Sequence, residues 1–391
     1  MKNLTIHIKA FALVLVSVVM SIGVGHAHEV KPAVADISVT PELVTVSLNV
    51  NLEALITEIG TEHDDTDDSP KAEQYNNLRG LSSAELAAEL DAYLPQLLSQ
   101  ISLSPVFNSE DSAAEASGDN LQLYLASVDV PDVGDIRLAR DTTMVLQAER
   151  PPSASAISWS WGQQYGPVIL RADSLDASGE AFTQYLQPGV TSDPIALEAG
   201  AVQSTGSGFF DYVVIGFEHI IPKGLDHILF VIGLFLLAPR LKPIVLQVSM
   251  FTLAHTVTLA LGITGVITLS PQIVEPLIAL SIAVVCIENM FSHKARKSRL
   301  VMVFLFGLLH GLGFAGVLSD IGLPGGRFVS SLLAFNIGVE LGQLCVVLAC
   351  FALVGWWFGN RSWYRNVIVI PASLIIGAVG LFWFLQRSGL I

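Results

Sequence analysis

Between residues 209 and 386 the sequence holds six long apolar stretches, at 209–238, 241–264, 272–292, 299–319, 328–356 and 366–386. Each is close to the roughly 20 residues an α-helix needs to cross the hydrocarbon of a bilayer. Lipid offers no hydrogen-bond partners, so such a segment satisfies its own backbone as a helix and its connections alternate between the two membrane faces. The connections after the first, third and fifth stretches carry Arg240 and Lys242, then Lys294, Arg296, Lys297 and Arg299, then Arg361 and Arg365. The remaining connections hold little beyond Arg327, with Arg387 at the tail. The positive-inside tendency therefore predicts an all-α bundle of six transmembrane helices, multi-pass in a bacterial inner (plasma) membrane, with both ends of the mature chain on the periplasmic side.

The first half is different in kind. Residues 28–208 carry 28 acidic and 7 basic residues, a formal charge of −21, whereas residues 209–391 carry 7 and 11, or +4. Neither half offers the basic stripe that nucleic acid requires. Residues 1–27 open with Lys2 and Lys9, continue through an apolar run from Ala10 to Val24 and end in Gly25-His26-Ala27, the pattern of a cleaved signal peptide. All three cysteines (Cys286, Cys345, Cys350) lie in the apolar half, so the exported half has no disulfide framework.

Residues 28–199 read as an acidic, β-rich exported domain. Apolar and polar residues alternate from Ala35 to Leu52, again through Leu121, Leu123, Leu125, Val128 and Val130, and again at Ile157, Trp159 and Trp161. A period of two marks half-buried strands. Ser82 with Glu85 three residues on predicts a capping box opening a helix whose inner face is Leu86, Leu90, Leu94 and Leu97. The expected fold is β-sandwich-like with a helical insertion. The run from Glu62 to Asp68 reads as a solvated acidic loop able to attract cations, and residues 200–208 as a Gly, Ser and Thr-rich linker.

Ionisable side chains are costly in hydrocarbon, so those inside a span face the bundle interior and serve a function. The first span contains His219, Asp226 and His227, with Pro222 and Gly224 between them. In one straight helix, seven residues separate His219 from Asp226 by about 10.5 Å of axial rise. A break at Pro222 and Gly224 predicts a kink or short re-entrant turn that folds His219 back towards Asp226 and His227. The second span offers Thr252 and His255, the third Ser281, Glu288 and Asn289, and the fourth His310. Gly307 and Gly311 beside His310 form a small-x-x-x-small pair that lets backbones approach. In the fifth span Asn336, Glu340 and Gln343 fall on one stripe. His219, His227, His255, His310, Asp226, Glu288 and Glu340 are the candidate metal ligands. Asn289, Asn336, Gln343, Ser281 and Thr252 are candidates for a polar path. Nitrogen and oxygen donors suit borderline ions such as Ni²⁺, Co²⁺ or Zn²⁺.

The segments GFEHIIPKGLDHILF, FTLAHTVTLALG, EPLIALS, Glu288-Asn289, FGLLHGLGFAGVL and FNIGVELGQ, in this order across 209–355, resemble the HupE/UreJ family, in the branch with an exported amino-terminal domain. The resemblance implies a nickel or cobalt permease, with His219, Asp226 and His227 matching the family's His-spacer-Asp-His motif. Here the spacer, Ile220 to Leu225, is one residue longer than the usual one, and the fourth span carries a single histidine. The resemblance also implies a metallochaperone or metalloenzyme maturation protein as partner, and a second copy of the chain is a further candidate. No prosthetic group is expected, the metal being cargo.

Three readings follow from these residues. The first is a divalent-metal permease. The second is an intramembrane zinc hydrolase, in which histidines and Asp226 hold a metal with an open position for water. The third is a metal-sensing or accessory membrane protein. The chain lacks a Gly-x-x-x-x-Gly-Lys-Ser/Thr loop, which argues against nucleotide-driven transport, and its spans lack a Gly-x-Ser-x-Gly turn.

Overall fold

The computed structural model describes residues 32–60, 66, 69–107, 119–134, 140–172, 182–197, 208–293, 297–321 and 328–390. The expected signal peptide at 1–27, most of the acidic run at 62–68 and residues 200–207 of the expected linker lie outside them. The described chain forms two compact units, one strand-rich and one helical from Phe209 onward.

The first unit opens with a hairpin. β1 (Ala33–Val39) and β2 (Leu43–Asn51) pair antiparallel from Val34↔Asn49 to Val39↔Val44. The register places Ala35, Ile37, Val44, Val46, Leu48 and Val50 on the buried face, as their alternation dictates. The other strands are β3 (Ile101–Val106), β4 (Tyr124–Asp129), β5 (Asp141–Glu149), β6 (Ala156–Trp161), β7 (Val168–Ala172), β8 (Phe182–Leu186) and β9 (Ile195–Ala196). They make a six-stranded sheet in the order β4-β5-β2-β1-β7-β8 and a three-stranded sheet in the order β3-β6-β9. Residues of both sheets share one apolar core, with Leu48 and Met144 from one and Leu103 and Trp159 from the other wholly buried. The sandwich-like expectation is met.

The helical insertion lies between β2 and β3, as α1 (Leu52–Thr57), α2 (Ala72–Arg79) and α3 (Ser83–Ser99). The capping box at the start of α3 is formed: Ser82 Oγ accepts from the Glu85 N–H at 3.4 Å and the Ser82 N–H donates to Glu85 Oε2 at 2.9 Å. The Ser82 bonds hold the Glu85 carboxyl below the usual glutamate range. Leu86, Leu90 and Leu97 turn inward onto the core, with Leu94 packed partly against it. Arg140, just before β5, locks the insertion in place, donating to the buried Glu53 at 2.7 Å and to the carbonyls of Leu81 and Leu78 at 2.9 and 3.1 Å.

The second unit is a bundle built for lipid. Its helices are α4 (Phe209–Ile220), α5 (Leu225–Leu237), α6 (Leu241–Ile263), α7 (Pro271–Phe291), α8 (Lys297–Ile321), α9 (Phe328–Cys350) and α10 (Ile370–Arg387). Leu246, Leu253, Val257, Ile273, Leu305 and Leu374 are exposed, while His255, Ser281, Asn289, Gln343 and Ser373 are wholly buried. Apolar outside with polar inside inverts the pattern of a water-soluble fold. Among the described residues, five segments are long and apolar enough to cross a membrane, and α4 with α5, a pair bent by 71°, counts as a sixth if the two make one span. The chain is thus a multi-pass membrane protein. α9 runs on through a π-helical turn to Phe358, and α10 is preceded by another at Arg365–Val369.

One charge departs from the expectation. Arg299, grouped above with the connection charges, is 1% exposed within α8. It donates through Nη1 to Glu288 on α7, through Nε to Gln247 on α6 at 3.0 Å and through Nη2 to the Gly233 carbonyl on α5 at 3.4 Å. Asn289 donates to the same carbonyl at 2.7 Å. Arg365 closes the end of α7 by donating to the carbonyls of Asn289, Met290 and Ser292.

Candidate metal centre

The centre begins with the broken first span. α4 ends at Ile220, residues 221–224 turn, and α5 starts at Leu225. The carbonyls freed at the end of α4 are taken up within the turn, since Ile221 N donates to Phe217 O at 2.8 Å and Gly224 N to Ile220 O at 3.1 Å. A Cβ at Gly224 would collide with the His219 carbonyl oxygen, so only glycine lets the chain turn back this closely. The turn brings the His219 ring to 5.0 Å from the His227 ring, centroid to centroid. Asp226 lies in the first turn of α5, where its charge faces the positive end of the helix.

Two tight crossings bring the other histidines in. Gly307 and Gly311 on α8 lie against the backbone of α6 at Phe251 and His255, so close that a Cβ at either would overlap it. Gly216 on α4 and Gly338 on α9 meet each other's helices in the same way. His255 stands 6.2 Å from His219 and 6.0 Å from His227, and His310 stands 4.8 Å from His227, ring centroid to ring centroid. One nitrogen from each of His219, His227 and His255 can be chosen so that all three lie within 4.8 Å of one another.

Hydrogen bonds fix which ring nitrogen is free. His227 Nδ1 is 3.1 Å from Asp226 Oδ1, and the carboxylate can only accept, so Nδ1 carries the proton and Nε2 a lone pair. His255 Nδ1 lies 3.2 Å from Asn336 Oδ1, while Asn336 Nδ2 donates to the Leu332 carbonyl at 2.8 Å, which again leaves Nε2 with the lone pair. Ser281 spends its proton on the Ile278 carbonyl at 2.6 Å, so at 3.1 Å it accepts from His310 Nε2 and leaves Nδ1 free. Nε2 of His219, His227 and His255 and Nδ1 of His310 are all buried without a hydrogen-bond partner. A metal-binding histidine is commonly oriented in this way, by a partner on its other nitrogen.

Aromatic rings wall the cluster. Phe314 lies 4.0 Å from His219 and stacks on Phe335, while Phe251 lies 4.9 Å from His310 and 5.6 Å from His227, between ring centroids. The bundle thus gathers His219, His227, His255 and His310, with Asp226, Asn336 and Ser281 holding three of the rings. The remaining candidates have other partners. Glu288 is paired with Arg299 rather than aimed at the imidazoles. Asn289 bonds to Gly233 and, at 3.3 Å, to Ser373. Glu340 accepts from Ser249 at 2.6 Å, and Thr252 Oγ1 lies 3.2 Å from the Gln343 side-chain amide. Sequence reasoning missed the phenylalanine walls, Arg299 and Ser249, because an apolar, a basic or a hydroxyl residue in a span shows its neighbours only once helices are paired.

Among known proteins, the family model described as HupE / UreJ protein matches residues 196–387. No curated protein and no solved structure matches the chain.

Proposed function

We propose, on the premise that residues 196–387 of this chain belong to the HupE/UreJ family, that the protein is a permease for a divalent transition-metal cation, nickel or cobalt first among them. Membership carries a membrane metal transport or accessory role. The observation that supports transport is the set of unpartnered imidazole nitrogens converging inside a lipid-facing bundle. Neutral imidazole suits Ni²⁺, Co²⁺ and Zn²⁺, and the affinity order of these ions does not choose among them.

The spacing of the trio is compatible with closing on one ion. Nitrogens about 2.1 Å from a tetrahedral ion stand about 3.4 Å apart, whereas these are gathered within 4.8 Å. Small side-chain movements close them on an ion, and the reverse movements release it. His219, His227 and His255 bind the cargo, Asp226 and Asn336 orient the rings, and His310 offers a fourth nitrogen. The charged connections argue for a bacterial inner membrane with the amino-terminal domain and the carboxyl terminus on the periplasmic side. With Arg299 withdrawn into the bundle, seven positive charges remain in the three cytoplasmic connections.

The test is uptake by purified full-length protein in liposomes. The wild-type chain is expected to move Ni²⁺, Co²⁺ or Zn²⁺ well above a His227→Ala/His310→Ala double variant, and equal rates would overturn the reading. Zinc that stays bound through detergent purification, together with turnover of a lipid amide or ester, would favour the zinc-hydrolase reading instead.

A further inference from the structure

An ion held by several imidazoles needs a weaker neighbouring place to move to, because conduction requires binding that is favourable enough to enter and loose enough to leave. The seam between α6 and α9 has the features of such a place. Ser249 and Thr252 are three residues apart on α6, and Glu340 and Gln343 are three apart on α9, so each pair shares a helix face. The two pairs meet, through Ser249 Oγ on Glu340 Oε1 at 2.6 Å and Thr252 Oγ1 on Gln343 Oε1 at 3.2 Å. The adjoining rung is His255 against Asn336 at 3.2 Å. Thr252 is three residues from His255, about 4.5 Å of axial rise.

Gln343 points to a missing ligand. It is wholly buried, and its Nε2 has no partner. Thr252 has a single hydroxyl proton but two acceptors in reach, the Gln343 oxygen and the Val248 carbonyl, each at 3.2 Å. Turning the Gln343 amide over answers both: its NH₂ then donates to Thr252, Thr252 donates to Val248, and the amide oxygen takes the unpartnered place. Glu340, half-buried beside the exposed Ser249, adds a carboxylate in the middle of a span, where a charge is costly.

From this the geometry points to a second cation site, separate from the histidines and made only of oxygen donors: Glu340, Ser249, Thr252 and Gln343 receive a partly hydrated divalent cation that has left the imidazoles. The inference rests on the permease reading. Oxygen donors with one carboxylate hold a borderline ion less tightly than imidazole nitrogens do, and they also accept hard ions that the histidines disfavour.

Manganese(II), a hard ion visible by electron paramagnetic resonance, probes the oxygen site in the purified full chain, with tightly bound Ni²⁺ reporting the histidines. His227→Ala is expected to lose Ni²⁺ and keep bound Mn²⁺, Glu340→Gln to lose Mn²⁺ and keep Ni²⁺ at wild-type stoichiometry, and Gln343→Glu to tighten Mn²⁺ binding by its added carboxylate. The retained Ni²⁺ shows that Glu340→Gln is folded. Mn²⁺ binding indifferent to both Glu340→Gln and Gln343→Glu, or lost with His227→Ala, would overturn the separate site. If the wild-type chain moves no transition metal in liposomes the permease reading fails whatever manganese does, whereas transport with manganese indifferent to these variants removes the oxygen site alone.

Discussion

Asp226 and His227 are neighbours in sequence, and the 3.1 Å contact between their side chains decides which nitrogen of His227 faces the cluster. Removing such an orienting partner typically lowers metal affinity about 10- to 100-fold while the ligand itself remains. Asp226→Ala is therefore expected to weaken Ni²⁺ binding by about that factor, and His227→Ala to remove it, as read by titration calorimetry of the purified chain. Asn336→Ala should act on His255 as Asp226→Ala acts on His227, and equal loss in an orienting variant and a ligand variant would mean that the orienting bond is itself part of the coordination. The residues were legible because an imidazole or carboxylate in a span has few other uses. Their partners were not. That Glu288 answers Arg299, and Glu340 answers Ser249, depends on which helices lie side by side, and hydropathy carries no record of that pairing.

The break in the first span was legible from Pro222 and Gly224, since proline removes a helical donor and glycine tolerates close backbone approach. The strands β1 and β2 and the capping box of α3 were legible for the same reason, that local chemistry alone sets them. The parallel pairing of β1 with β7 was not, because the two strands are far apart in sequence and their alignment is set by the shared core. Away from the histidines, the Arg299–Glu288 pair joins α8 to α7 through side chains that no local rule brings together. Breaking a buried ion pair by removing one member costs about 3–5 kcal/mol, because the other charge is left unpaired. Arg299→Met should lower the melting temperature of the purified chain sharply. Glu288→Leu with Arg299→Met should recover much of that loss, and a double variant as unstable as the single one would show that the pair itself is not what stabilises this end. Gly338→Ala tests the α4–α9 crossing: overpacking of this kind costs about 1–3 kcal/mol, and the displaced α4 should carry His219 away and weaken Ni²⁺ binding as well.

Each unit of the molecule has its own core, drawn from residues 33–197 in one and 229–383 in the other. The four clustered histidines and the groups that orient them all fall between residues 219 and 336, within the helical unit. A chain lacking residues 28–199 is therefore expected to bind Ni²⁺ with wild-type stoichiometry, and loss of binding would show that the strand-rich unit contributes a ligand or the stability of the bundle. What that unit can add is a field. Its sequence carries −21 formal charges between residues 28 and 208, and a strongly negative surface raises the local concentration of a divalent cation and its rate of encounter. The effect is screened as the Debye length falls from about 30 Å at 0.01 M ionic strength to about 8 Å at 0.15 M. Uptake by the full chain should therefore exceed uptake by the shortened chain at limiting metal and low salt, and the two should converge as salt is raised. A difference that survives high salt would point to a contact with fixed geometry, and none at low salt would mean that the acidic unit does not supply the pathway with ions.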